Sequence, residues 1–250
     1  MDDAGGLSSL PGEIWARATT VQEPASARVV LATAGVALLC LVVPTLWHLT
    51  RHALTIVHEA AHAGVAVLTG RRLTGIRVHS DTSGLTLSVG RPRGPGMVAT
   101  AFAGYVGPAL LGLGSAWLLG RGYAVGLLWL LVVVIALVLV MVRNWYGLWT
   151  VLVTAAVLVG VSWWGTAPVQ SAFAYAVTWF LLLGAPRAVL ELQVSRRRAR
   201  SGGRRAGSSD ADILARLTRV PAVIWVGVFL VVCVGALVVG AGWVLDRPLG

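Results

Sequence analysis

Apolar residues run along this chain in blocks of about 20, separated by short stretches that gather glycine, proline and arginine. About 20 helical residues are needed to cross roughly 30 Å of hydrocarbon. The blocks predict membrane helices over 28–49, 51–69, 97–119, 123–142, 147–163, 168–184, and from Pro221 to about Trp243. Pro44 marks a kink or an end in the first. Gly70, followed by Arg71 and Arg72, reads as the stop of the second. The block 123–142 has no polar group through its centre beyond the Trp129 indole and is predicted to face lipid. Between 73 and 93 the pattern changes to alternation, which predicts strands over 74–79 and 85–89 joined by the turn-like Asp81-Thr82-Ser83-Gly84. Residues 1–27 mix small, polar and charged residues and read as a loosely ordered tail. The stretch 187–209 holds seven arginines among serine and glycine and reads as a loop, disordered in part. Ser209 and Asp210 offer capping groups for a helix through Arg219.

The expected fold is therefore an all-α polytopic membrane protein of about 6–7 transmembrane helices, with a short β-hairpin after the second. Its expected divisions are a tail (1–27), a membrane core (28–184), an arginine-rich loop with a juxtamembrane helix (185–218), and a final helix (219–244).

Composition agrees. Hydrophobic residues make up 57% of the chain and charged residues 12%, about half the charged share of a soluble domain. The net charge of +10 comes from arginine alone. Such a balance invites a nucleic-acid reading, but the arginines gather between apolar blocks, as topology signals do. With a cytoplasmic N-terminus and seven alternating spans, only Arg51, Arg121 and Arg247 fall outside. The expected location is a cell membrane, with the lipid bilayer as partner and no nucleic acid. Cys40 and Cys233 both lie in apolar blocks and read as free thiols. The start of the chain lacks a basic n-region, so no cleaved signal is expected.

One apolar block carries chemistry. His58-Glu59-Ala60-Ala61-His62 places two imidazoles at i and i+4, on one face of a helix. That spacing suits a zinc ion, with Glu59 as the base that takes a proton from water. The plainer alternative is a pair of interhelical hydrogen-bonding histidines. Ionisable groups inside a span favour the functional reading. A catalytic zinc uses three protein ligands, so one more is needed.

The surrounding motifs resemble the site-2-protease class of intramembrane zinc metallopeptidases, peptidase family M50, and especially its small bacterial M50B-like branch. The resemblance is carried by the stretch from Thr55 to Ala63, by Gly70-Arg71-Arg72-Leu73 and by Ser83-Gly84-Leu85-Thr86. It continues through Gly104-Tyr105-Val106-Gly107-Pro108-Ala109, Arg143-Asn144-Trp145-Tyr146-Gly147 and Ser209-Asp210-Ala211-Asp212-Ile213-Leu214-Ala215. It implies proteolysis of membrane-anchored protein substrates, with Zn2+ as sole cofactor. Better-known members supply the third ligand as an aspartate in an Asn-Pro…Asp-Gly pattern, which this chain lacks. Asp210 is the first candidate and Asp212 the alternative, each with helix capping as its plainer role. Asp81 reads as a turn residue and Asp246 falls on the wrong side of the membrane.

By the same resemblance, Asn144 is a candidate for supporting the ligands or positioning substrate, and Gly104, Gly107 and Pro108 for shaping the cleft. The hairpin edge offers a strand for pairing with an unwound substrate. His79 reads as a surface histidine. The alternative function is a catalytically inactive M50-like scaffold or a metal-binding transporter. Glu59 separates the readings: an inactive relative would more often have lost it or a histidine, and a transporter needs polar groups on several spans, which 123–142 and most of 147–184 do not offer.

Overall fold

The computed structural model describes residues 4–201 and 209–249. Nine helices and one hairpin make up this part: α1 (Ala4–Thr19), α2 (Ala27–Val42), α3 (Pro44–Leu68), β1 (Arg72–Val78), β2 (Gly84–Val89), α4 (Pro95–Gly120), α5 (Ala124–Met141), α6 (Trp145–Trp164), α7 (Ala167–Ser201), α8 (Asp210–Thr218) and α9 (Ala222–Leu249). Among the described residues, five helices (α4, α5, α6, α7 and α9) are long and apolar enough to cross a membrane. The number is six if α2 and α3 together form one bent span, the lower end of the six to seven expected and one fewer than the seven apolar blocks. This is the architecture of a multi-pass membrane protein.

The difference in count arises at Pro44. Val43 is extended and Pro44 occupies the first turn of α3, where its missing N–H is no loss. The chain turns by 103° there. The metal-motif helix therefore starts seven residues earlier than expected and is 25 residues long. Its end is as read from the sequence. Gly70 adopts φ +74°, and the amides of Gly70 and Arg71 bond back to the carbonyls of Val67 and Ala66, a Schellman stop.

Two expected coils are helical. α1 occupies most of the expected loose tail and leads to Gln22, whose side-chain oxygen accepts from the Val125 amide at the start of α5. α7 runs 35 residues, straight through the first half of the expected arginine-rich loop. Arginine is a good helix former, and no glycine or proline follows Pro186 before Gly202. Arg204 and Arg205 lie outside the described residues. α5 also departs from expectation: Leu127, Leu128, Leu131, Ile135 and Val138 are buried, so only its opposite face is left for lipid. α6 has exposed tryptophans, Trp145 and Trp164, at its two ends, as interface anchors do.

The hairpin is antiparallel, with Ile76 opposite Thr86 and Val78 opposite Gly84. Its turn is closed by Asp81, which accepts from the Ser83 amide at 3.0 Å and the Ser83 hydroxyl at 2.6 Å. The outer edge of β1 is covered. The Arg143 amide bonds to the Ile76 carbonyl, and the Asn144 side chain exchanges hydrogen bonds with both backbone groups of Val78. Asn144 thus works as a strand-like clip that ties the start of α6 to the hairpin. α4 lies at the centre of the bundle and packs against α3, α7, α8 and α9. Cys40 and Cys233 are free thiols.

Candidate metal centre

The stripe of α3 that faces α4 carries His58 and His62. The approach of the two helices is set by glycines. A Cβ at Gly104 would overlap both imidazoles, and one at Gly107 would overlap the Ala61 side chain. Pro108, one turn on from Gly104 and buried, lines the adjoining cavity. It has no N–H to give the Gly104 carbonyl. Tyr105 stands edge-on to the His58 ring, centroids 4.7 Å apart.

His62 is fixed by the Thr100 carbonyl, 2.7 Å from its Nδ1. A carbonyl only accepts, so Nδ1 carries the proton and Nε2 of the neutral ring presents a lone pair. That Nε2 lies 3.0 Å from Nε2 of His58 and 3.1 Å from Oδ2 of Asp210, and His58 Nε2 lies 3.2 Å from the same oxygen. Three candidate ligand atoms thus converge, and Asp210 comes from 148 positions beyond the nearer histidine, His62. If both rings present lone pairs, two nitrogens and a carboxylate oxygen at these distances repel one another, and a shared cation relieves that repulsion. The donor set, two nitrogens and one oxygen with a carbonyl holding one ring from behind, fits a divalent ion with an open position.

Asp210 arrives on α8. Ser209 caps that helix: its hydroxyl accepts from the Asp212 amide and donates to Asp212 Oδ2 at 2.6 Å. The other carboxylate oxygen of Asp212 takes two bonds from the Arg196 guanidinium, the shorter 2.8 Å, and Arg196 is only 5% exposed. Burial acts to raise the Asp212 carboxyl, but the Ser209 and Arg196 bonds outweigh it and hold it below the usual carboxylate range. Of the two aspartates considered as third ligand, Asp210 joins the histidines. Asp212 is turned away and braces the helix that carries Asp210.

Glu59 is 3% exposed and lies under β2. The Thr86 hydroxyl donates to its Oε2 at 2.6 Å. Its Oε1 sits beneath Gly84, where any Cβ would overlap the carboxylate. Glu59, His58 and Asp210 all border one cavity of about 740 Å³. Asp81 also reaches that cavity, as part of the turn, while His79 contacts Ser83 and Asp246 is near the far end of α9. Asn144 sits on β1 and touches none of the three converging side chains.

Thr100, Thr86, Gly84 and the Arg196–Asp212 pair escaped the sequence reading of individual roles. Gly84 and Thr86 belong to a motif that carried the resemblance. Thr100 acts through its main chain and leaves no side-chain signal at all.

A family model described as Peptidase M50B-like matches residues 31–240. No curated protein and no solved structure matches the chain.

Proposed function

The chain belongs to the M50B-like peptidases, and from that premise we propose that His58, His62 and Asp210 hold a zinc ion and that Glu59 moves the proton in peptide-bond hydrolysis. The observation that carries this reading is the convergence of the three ligand atoms, each within 3.2 Å of the others. Zinc in such a setting supplies Lewis acidity to a water and to the scissile carbonyl. The residues of the chain do the rest. The Thr100 carbonyl keeps the lone pair of His62 aimed inward. Thr86 holds Oε2 of Glu59, which leaves Oε1 to accept the proton of the attacking water and return it to the leaving amine. Gly84 supplies the space for that oxygen. Tyr105 covers the His58 ring edge-on.

The substrate class is a membrane-associated protein. Its unwound segment pairs with the outer edge of β2, since β1 is covered by 142–144. Asn144 then acts on substrate only through the hairpin it clips, and Gly104, Gly107 and Pro108 act by shaping the floor of the cleft. The membrane core 28–184 and the arm 185–218 each supply part of the ligand set.

For orientation, the spanning helices alternate. The hairpin, the α5–α6 turn and the α7–α9 connection carry arginines 71, 72, 77, 91, 93, 143, 187, 196, 197, 198, 200, 204, 205, 216 and 219 by sequence order; the opposite side carries 17, 28, 121 and 247, and Arg51 lies within α3. That bias supports a cytoplasmic hairpin and metal centre. If α2 and α3 make one crossing, the N-terminus falls on the other face. This agrees with the bond from the Gln22 amide to the Gly122 carbonyl in the α4–α5 turn. The cytoplasmic N-terminus expected from seven spans depends on counting α2 and α3 separately.

The test is metal analysis of the purified protein with His58→Ala, Asp210→Ala and Glu59→Gln. One zinc per chain is expected in wild type and in Glu59→Gln, and none in the other two. Glu59→Gln should cleave no membrane-anchored reporter. Wild type that binds no divalent metal would falsify the reading.

A further inference from the structure

The cavity that opens on the metal centre has a second polar end. α3 presents Arg51, Thr55 and His58 to it at helical spacing, and α7 presents Arg187 and Glu191. Glu191 serves both arginines. Its Oε1 accepts from the Trp47 indole at 2.7 Å and from Arg187 Nε at 3.3 Å, and its Oε2 lies 3.5 Å from Arg51 Nη2. The two guanidiniums also stand over the Trp47 ring, 4.4 Å and 5.7 Å from its centroid. One carboxylate and one indole therefore fix two cationic forks in place. Each fork has five N–H donors, of which Glu191 engages only a fraction, and the trio keeps one net positive charge. Arg198 at the same cavity adds another. The other acids of the cavity are committed elsewhere: Glu59 and Asp210 at the metal centre, Asp81 in its turn.

We propose that Arg51 and Arg187 form a carboxylate-binding subsite that reads an acidic group on the substrate about three residues from the bond that is cut. The spacing comes from geometry. Arg51 precedes His58 by two turns of α3, a rise of about 10 Å. An extended peptide covers about 3.3 Å per residue. Fixed guanidinium forks in a partly desolvated wall favour a planar carboxylate, which they hold bidentately. Glu191 positions the two arginines and is displaced by nothing; the substrate group uses the donors it leaves.

The subsite rests on the metallopeptidase reading, and binding is measured apart from cleavage so that the two fail separately. The probes are fluorescein-labelled Ala/Leu dodecapeptides with Glu or Gln at one position, with free or amidated C-termini, titrated by anisotropy into zinc-loaded Glu59→Gln protein in detergent. The Glu peptide should bind about tenfold more tightly than the Gln peptide, as for one added charge-assisted contact. In Arg51→Gln and Arg187→Gln the ratio should fall to about one while zinc stays stoichiometric, which shows that the fold is intact; Arg187→Lys should fall between. If amidation rather than Gln removes the preference, the group read is the chain's terminal carboxylate, and the subsite stands. Equal affinity for all four peptides in the parent protein overturns it. So does an Arg187-dependent affinity for phosphatidylglycerol vesicles without any peptide preference, which assigns the arginines to lipid phosphate. With active enzyme, the cut should follow Glu as it is moved along the peptide. Binding preference without any cleavage counts against the peptidase reading and leaves the subsite in place.

Discussion

The candidate metal centre has two unlike halves. The histidine half is built from two helices, α3 and α4, that meet backbone to side chain across Gly104 and Gly107. Its precision comes from close packing and one carbonyl. The aspartate half is a nine-residue helix, α8, held by polar groups: the Ser209 cap and the buried Arg196–Asp212 pair. One half is fixed by shape and the other by charge. Shape fails when an atom is added, and charge fails when a partner is removed.

That contrast can be broken deliberately. The largest effect is expected from Gly104→Ala. The added methyl meets both imidazoles, so zinc binding should be lost altogether, read as metal content of the purified protein; stoichiometric zinc in this variant would show that α4 is free to withdraw. Next is Gly84→Ala, which crowds Glu59 rather than the ligands. Zinc should remain, while proteolysis of a membrane-anchored reporter falls by about 100-fold or more, the usual worth of a general base. Arg196→Ala tests the charged half. It strands a carboxylate that braces Asp210, and zinc affinity should weaken by about 10–100-fold, as for the loss of a group that orients a ligand. Arg196→Lys should recover part of it, and unchanged affinity in Arg196→Ala would mean that α8 docks without its ion pair. The smallest effect is expected from Ser209→Ala. Loss of the cap costs about 1 kcal/mol, seen as a modest drop in zinc affinity with no change in the folding of the α3–α4 pair.

The same division explains what could be read from the sequence. The two histidines lie within five consecutive residues, and helical periodicity alone puts them on one face. The hairpin turn, the Gly70 stop and the Ser209 cap are local signals too, and the helix that follows Ser209 brought Asp210 into consideration. What the sequence could not convey was contact at long range. Whether Asp210 or Asp212 faced the histidines depended on Arg196, one α-helix earlier. The roles of Thr86 and Thr100 depend on which turn of another element passes beside them. Two misreadings have a different origin. The arginines of 187–200 look like a loop because their charge masks the helix propensity of the same residues. α2 and α3 look like two spans because the length of an apolar block says nothing about a 103° turn.

α7 gives the two halves a common mechanical frame. It carries Glu191, in the wall of the cavity, and Arg196, which braces the aspartate arm, five residues apart on one unbroken helix. At about 1.5 Å per residue, its 35 residues extend to roughly 50 Å, well past the hydrocarbon that its apolar part crosses. The wall and the brace therefore share one set of rigid-body motions. A tilt of α7 moves the cavity wall at Glu191 and the Arg196 brace of α8 together, as parts of a single rod.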